Sequence, residues 1–286
     1  GISAQNGFAL QRNTALYLFL ENYLTKFKGK KYFMCLEHHE DFLFCFLNDN
    51  NEAETIEAYQ SKKKSPNSWS LDQKFLNIVS EILKVGKDLE TDSIVKSLIY
   101  QHYLFFISNQ TINLVVTKGK DIPNISKSIK EDNPTVNYLD LQQEIRNKIK
   151  EGILDDSLHN QLKKFGLIYV DFNRTASKQI NELVGQLDGV FGDQIYNKRA
   201  AVEILIGLFE EIGLTYNSGN IAKLLDESKQ VNSDTIEKAL NILTSRSKCF
   251  EYWQSQSREI SIRPKAPLQY APVESITVLV SMLLCS

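Results

Sequence analysis

The sequence predicts an α/β protein in which a domain with a central mixed sheet precedes a mostly α-helical domain. Two features of the pattern indicate this. The N-terminal part alternates between helical spacings of apolar residues and short apolar runs typical of strands. The remainder is rich in Leu, Ile, Glu, Lys and Gln at helical spacing. We therefore expect two domains, residues 1–120 and residues 121–286, of which the first packs helices on its sheet.

The first domain is predicted to run in the order helix, three strands, helix, strand. The first helix is expected over residues 8–26, where apolar residues recur at helical spacing with few breakers. The second helix is expected over residues 71–85, with Ser70 as its cap, and to continue through residues 93–100. The predicted strands are 31–37, 41–47 and 54–62, followed by 103–108 and 113–117.

The second domain is predicted to be helical over residues 140–165 and 176–245, with one strand at 167–172. Residues 200–209 (AAVEILIGLF) are hydrophobic nearly all round, so we expect this helix to be deeply buried, within the chain or in an oligomer. The apolar run 276–285 is about half as long as a membrane span. It is open to three interpretations: a buried terminal segment, a contact with a partner, or a chain that continues further.

The composition excludes several classes of function. The net charge of -2 gives no general basic field for nucleic acid, so any such site must be a local patch. The four cysteines form no CxxC pair, and we expect Cys35 and Cys45 to be small core residues of a cytoplasmic protein. A glycine-rich phosphate loop is absent, so the chain is not expected to hydrolyse ATP. Neither a signal peptide nor a membrane span is predicted.

The most informative stretch is a predicted hairpin whose two strands carry metal-compatible side chains. Asp41 opens one strand, the turn Asn48–Asn51 follows, and Gln60 and Lys62 close the next strand. Because side chains alternate along a strand, Gln60 and Lys62 share one face while Glu57 lies on the other. A carboxylate, an amide oxygen and an ammonium around one point suit a divalent cation and a scissile phosphate.

These residues carry a resemblance to a known family. The helix bearing Gly7–Gln11 (GFALQ), the strand leading into Glu37–Asp41 and the segment Glu57–Lys62 (EAYQSK) together resemble the PD-(D/E)xK nuclease superfamily. More narrowly, the chain resembles the double-stranded DNA endonuclease domain of bacterial anti-phage systems. In CBASS effectors that domain is fused to a cyclic-oligonucleotide sensor, and related proteins pair with a HerA-type ATPase. The resemblance covers roughly residues 1–120.

The resemblance implies a restriction-endonuclease-like first domain that cleaves double-stranded DNA with Mg2+ or Mn2+. By this resemblance Asp41 is the metal-binding aspartate and Lys62 is the catalytic lysine. Gln60 stands where the superfamily usually has Asp or Glu, and is expected to be the second metal ligand. Gln11 and Glu37 match polar positions that flank the site. Glu57 is a further supporting candidate.

Two groups of lysines are candidates for DNA binding. One group precedes the first strand and the other extends from the third; together they are Lys28, Lys30, Lys31, Lys63 and Lys64. If the two strand ends share one rim of the sheet, DNA phosphates bind there and salt weakens the complex steeply. No recognition helix stands out, so little sequence specificity is expected.

The expected partners beyond DNA follow from the resemblance and from the second domain. We expect a homo-oligomer, with a HerA-type ATPase as a possible further partner, in the bacterial cytoplasm and in anti-phage defence. No nucleotide-sensor domain is evident in this chain.

Two other interpretations remain open at this point. Because Gln60 is an amide where an acid is usual, the domain is alternatively a catalytically weak interaction module that keeps the nuclease fold. RNA is the alternative substrate. A zinc site at His38 and His39 is not expected, since neighbouring strand residues point to opposite faces, although one of the two is a candidate phosphate contact.

Overall fold

A seven-stranded mixed sheet forms the centre of the structure, a computed structural model. The structure describes residues 2–36, 41–62, 68–119, 122–173, 175–213, 224 and 230–245, with the backbone alone for 2–8, 176 and 210–213. The helices are α1 (Ile2–Glu21), α2 (Gln73–Thr91), α3 (Gln143–Gly152), α4 (Ala176–Phe191) and α5 (Lys198–Gly213), and residues 233–245 are also helical. A π-helical turn, Tyr23–Phe27, follows α1, and a 3-10 stretch spans Asp156–Lys164.

Ten strands are described, in two sheets. They are β1 (Lys31–Leu36), β2 (Phe42–Leu47), β3 (Ala53–Ser61), β4 (Trp69–Ser70), β5 (Lys96–Ser108), β6 (Ile112–Val116), β7 (Ile125–Ile129), β8 (Thr135–Asn137), β9 (Phe165–Tyr169) and β10 (Gln230–Asn232). The large sheet has the order β10-β1-β2-β3-β5-β9-β8 and the small one the order β4-β6-β7. In the large sheet β3, β5 and β9 are parallel, and the other pairings are antiparallel.

Apolar side chains cover both faces of the large sheet. On one face, Cys45, Ala58 and Phe106 pack against the buried side of α2, which includes Phe75 and Val79. On the other face, the buried aromatic residues Tyr32, Phe42, Phe44 and Tyr59 pack against α1, α4 and α5. Strand residues two apart therefore belong to the same layer, as the pleat requires. The α/β class with a mixed sheet is confirmed.

The predicted division at residue 120 does not separate the sheets. The large sheet includes β8, β9 and β10, and β7 pairs with β6 across that position. These late strands are three to five residues long. Among them β9 overlaps the strand expected at 167–172, whereas β7, β8 and β10 carry too little alternation to stand out from their surroundings.

Two predictions about individual elements are wrong. Residues 93–100 do not extend the second helix, since β5 starts at Lys96 and pairs with β3. Ser70 is not the helix cap: Asp72 is, and its side chain accepts a hydrogen bond from the Phe75 N–H. The helix α5 is buried on one side within the chain, while Ile204 is 42% exposed on the side away from the core; burial of that side in an oligomer stays a prediction. By contrast, Cys35 and Cys45 are buried in the core as expected.

Candidate active site

The carboxylate of Asp41 is fixed between α1 and the end of β3. Asp41 directly precedes β2 and is 1% exposed. The side chain of Gln11, on α1, donates a hydrogen bond to Oδ1. The backbone N–H of Ser61, on β3, donates to Oδ2. One carboxylate thus links the helix to the segment between Gln60 and Lys62.

The hairpin register brings these residues together. Phe42 lies opposite Tyr59, so that Asp41 meets the end of β3. The turn that sets this register is local: Asn48 Oδ1 accepts hydrogen bonds from the N–H groups of Asn50 and Glu52, at 3.0 and 2.9 Å. Asparagine favours such bonds to its own backbone and so closes the turn.

Gln60 and Lys62 line a pocket of about 380 Å³ between β3 and α2. The helix contributes Asn77, Ile78, Ser80 and Glu81 to the same pocket. Gln60 is buried and Lys62 is half-buried, as expected for side chains that point from a sheet towards a covering helix. The two side chains share this face because they are two residues apart on one strand.

The backbone of Lys62 is held at the ends of two parallel strands. Its N–H donates to the carbonyl of Ile107 at 3.2 Å, and its own carbonyl accepts from Ser108 Oγ at 3.2 Å. Ser108 Oγ also accepts from Trp69 Nε1 at 2.9 Å, and Trp69 is buried. Trp69 therefore serves as a packing residue at this end of the sheet.

Glu57 lies on the opposite face of β3, where it forms an ion pair. Lys26 Nζ is 2.5 Å from both carboxylate oxygens, and the Tyr59 hydroxyl donates to one of them at 2.8 Å. Burial, together with the neighbouring Glu57 carboxylate, raises the pKa of Tyr59 well above its ordinary value. Glu57 therefore anchors β3 to the turn after α1, and it lies on the other face of the strand from Gln60 and Lys62.

The start of β1 and the end of β3 lie at opposite ends of the sheet, so these two strand ends do not share one rim as the sequence interpretation assumed. Lys31 pairs with Leu47, which pairs with Ala53 at the start of β3. Lys62 follows the end of that strand, about 30 Å away along it. Lys28, Lys30 and Lys31 are exposed beside the hairpin turn, where Lys31 Nζ contacts Asp49 O at 3.2 Å. The predicted residues Glu37, His38, His39, Lys63 and Lys64 lie outside the described residues.

The donor chemistry of the site suits a hard divalent cation. The available oxygens are the Asp41 carboxylate, the Gln60 amide and the Ser61 carbonyl, and Mg2+ is commonly held by one or two carboxylates with several retained waters. Within the described ranges, no group of three or more His, Cys, Asp or Glu side chains is placed to hold a metal ion. A zinc site, which needs nitrogen or sulfur ligands in a closed set, has no candidate in those ranges.

Sequence reasoning missed the contribution of α2. Asn77, Ser80 and Glu81 are spaced as one helical face, and this spacing of polar residues is visible in the sequence. Which strand that face meets depends on how the helix packs on the sheet.

The comparisons with known proteins leave the site to be judged on its geometry. Neither protein-family models, nor curated proteins, nor solved structures match this chain. In the described part of the chain, every helix is too short or too polar to cross a membrane.

Proposed function

We propose that this protein is a metal-dependent nuclease that hydrolyses phosphodiester bonds of double-stranded DNA. The observation that carries the proposal is the position of the Asp41 carboxylate. It is bound to the Ser61 N–H, directly between Gln60 and Lys62 on β3. A buried carboxylate, bound to the backbone between a residue with an amide and a residue with an ammonium, belongs to a set of groups suited to a cation and a phosphate.

The order of elements supports the proposal. Apart from the two-residue strand β4, which belongs to the small sheet, the chain runs α1, β1, β2, β3, α2, β5, with an antiparallel meander and β5 parallel to β3. This is the helix, three strands, helix, strand order expected from the sequence. It favours a restriction-endonuclease-like core around the hairpin.

Each residue has a distinct role in this proposal. Asp41 and Gln60 would hold the cation, which when bound polarises the phosphoryl oxygen and lowers the pKa of a water molecule. Lys62 offsets the negative charge that develops on the phosphate, or orients the attacking water. Gln11 and the Ser61 N–H hold the Asp41 carboxylate in one orientation before substrate binds. The apolar layers on both faces of the sheet keep this arrangement rigid.

Plasmid degradation in Mg2+ tests the proposal. Asp41→Ala and Lys62→Met should each lower the cleavage rate by about 100-fold or more, the usual effect of removing one transition-state-stabilising group. Matched controls are Asp49→Ala, in the exposed hairpin turn, and Lys74→Met, on the exposed face of α2. Both controls should cleave at the wild-type rate. Equal cleavage by all five proteins would overturn the site assignment.

The class of nucleic acid is tested separately. Labelled DNA and RNA duplexes of one sequence, supplied together, should show preferential loss of the DNA. Loss of RNA alone would replace DNA by RNA as the substrate and leave the residue roles unchanged. The anti-phage setting, the oligomer and the HerA-type ATPase stay predictions that follow from the resemblance.

A second candidate function is a nuclease-fold scaffold without catalysis, and Gln60 is the feature that favours it. An amide contributes no charge to cation binding, so a site with a single carboxylate binds weakly. Calorimetry with Mn2+ separates the two candidates. Binding that is lost in Asp41→Ala supports the nuclease, and no binding by the wild type supports the scaffold.

A further inference from the structure

The pocket beside Gln60 and Lys62 contains a carboxylate from another element. Glu81 lies on α2, in line with Asn77 and Ser80, and all three border the pocket that the end of β3 borders from the other side. Residues spaced by three and four positions share one helix face. These three side chains form a polar edge of α2 beside the pocket, while the apolar side of the helix packs on the core.

The charges on the strand side of this site are unbalanced for a divalent cation. Asp41 contributes one negative charge, Gln60 none, and Lys62 is a cation. The number of charged ligands is a main determinant of affinity at oxygen sites for hard cations. A second carboxylate would correct this balance, and Glu81 is the acidic residue that borders the same pocket as Gln60.

We propose that Glu81 supplies the second carboxylate of this site, in compensation for the neutral amide of Gln60. The inference rests on the proposed nuclease function and adds a residue to it from a different element. In this arrangement the residue that precedes β2, the strand β3 and the helix α2 each contribute one oxygen-bearing side chain: Asp41, Gln60 and Glu81. The ligand set of the cation is thus completed only where α2 packs against the sheet.

The present contact of Glu81 is compatible with this role. Its carboxylate lies 2.7 Å from Lys84 Nζ, one helical turn further on, with the two side chains 45% and 52% exposed. Exposed pairs of this kind contribute little, because water and salt screen them. The carboxylate can exchange this partner for a cation at little cost.

Metal binding and cleavage, measured together on a set of variants, test the inference. Calorimetric titration with Mn2+ should show at least about tenfold weaker binding by Glu81→Gln than by the wild type, with slower plasmid cleavage. The swap variant Gln60→Glu/Glu81→Gln moves the carboxylate to the strand and should recover both binding and cleavage. Recovery by the swap is the result that a merely structural role of Glu81 would not produce.

Two controls separate the carboxylate from its surroundings. Asp88→Asn makes the same chemical change at an exposed position of the same helix and should leave Mn2+ binding unchanged. Lys84→Gln breaks the same ion pair but keeps the Glu81 carboxylate, and should bind Mn2+ at least as well as the wild type. Thermal unfolding of each variant verifies that the fold is retained. Glu81, Lys84 and Asp88 have exposed side chains, and Gln60, which is buried, keeps its side-chain volume in the swap variant.

The outcomes distinguish this inference from the function on which it rests. Wild-type Mn2+ affinity in Glu81→Gln, or an equal loss in Lys84→Gln, would overturn the role of Glu81. If Asp41→Ala still abolished binding and cleavage in that case, the nuclease proposal would stand without Glu81. If Asp41→Ala also bound Mn2+ and cleaved as the wild type does, the assignment of the site to Asp41 would fail. A wild type that neither bound Mn2+ nor cleaved DNA would overturn the proposed function itself.

Discussion

Replacing Lys26 by methionine tests the ion pair that joins the turn after α1 to the centre of the sheet. Lys26 Nζ lies 2.5 Å from both carboxylate oxygens of Glu57, and the Tyr59 hydroxyl donates to the same group at 2.8 Å. The Glu57 side chain is 10% exposed and that of Lys26 is 37% exposed. In the variant, the buried Glu57 carboxylate keeps only the Tyr59 hydroxyl of these two donors.

The structure sets the size of the expected loss. Removing one partner of a fully buried pair costs about 3–5 kcal/mol. Since water reaches Lys26, we expect Lys26→Met to lower the free energy of unfolding by about 2 kcal/mol. Glu57→Gln keeps the side-chain volume and an acceptor for Tyr59, so it should cost about 1 kcal/mol. The double variant buries no charge and should cost about 1.5 kcal/mol, which gives a coupling energy of about 1.5 kcal/mol.

Urea unfolding followed by circular dichroism measures all three variants. The control is Lys130→Met, which breaks an exposed pair with Asp132 at 3.0 Å and should change stability by less than about 0.5 kcal/mol. If the effects of the Lys26 and Glu57 substitutions simply add, the pair is not a coupled anchor. A loss in Lys26→Met no larger than that in Lys130→Met would refute the reasoning equally.

Three further predictions concern α2 and the residues around it. His102 is buried, and desolvation lowers its pKa from 6.5, so the unfolded chain binds a proton that the folded protein does not. The free energy of unfolding should therefore fall as the pH drops below about 6.5, and His102→Asn should make this pH dependence shallower in unfolding titrations. Gly86→Ala would place its Cβ 2.6 Å from Gln161 Oε1, which contacts His102 Nε2 at 2.8 Å; despite the better helix propensity of alanine, we expect a loss of about 1–2 kcal/mol in urea unfolding. Asp72→Ala removes the cap that accepts from the Phe75 N–H at 2.9 Å and should cost about 1 kcal/mol. An unchanged unfolding midpoint in Gly86→Ala or Asp72→Ala, or an unchanged pH slope in His102→Asn, would contradict the corresponding contact.

The hairpin around the candidate site could be predicted because its signals are local. Alternating apolar residues and an Asn-rich turn mark β2 and β3, and the structure forms them at Phe42–Leu47 and Ala53–Ser61. Once the strands are known, the pleat alone assigns Gln60 and Lys62 to one face and Glu57 to the other. No contact between distant parts of the chain is needed for that inference.

The start of β5 could not be predicted for the opposite reason. Residues 96–100 (KSLIY) are compatible with a helix that continues from α2, and their own pattern does not decide. The parallel pairing of Lys96 with Ala53 decides it, and this pairing joins residues more than forty positions apart. Likewise, β10 is a three-residue strand that exists because it pairs with β1.

The same distinction explains why the sequence motif gave an incomplete site. Asp41, Gln60 and Lys62 are brought together by one hairpin, and Asp41 is the only carboxylate among these three residues. The other groups near that hairpin come from helices whose orientation is set by packing: Gln11 from α1 reaches the Asp41 carboxylate, and Glu81 from α2 borders the pocket of Gln60. A neutral residue at a motif position is therefore weak evidence against catalysis, because a helix that covers the sheet can supply the missing charge.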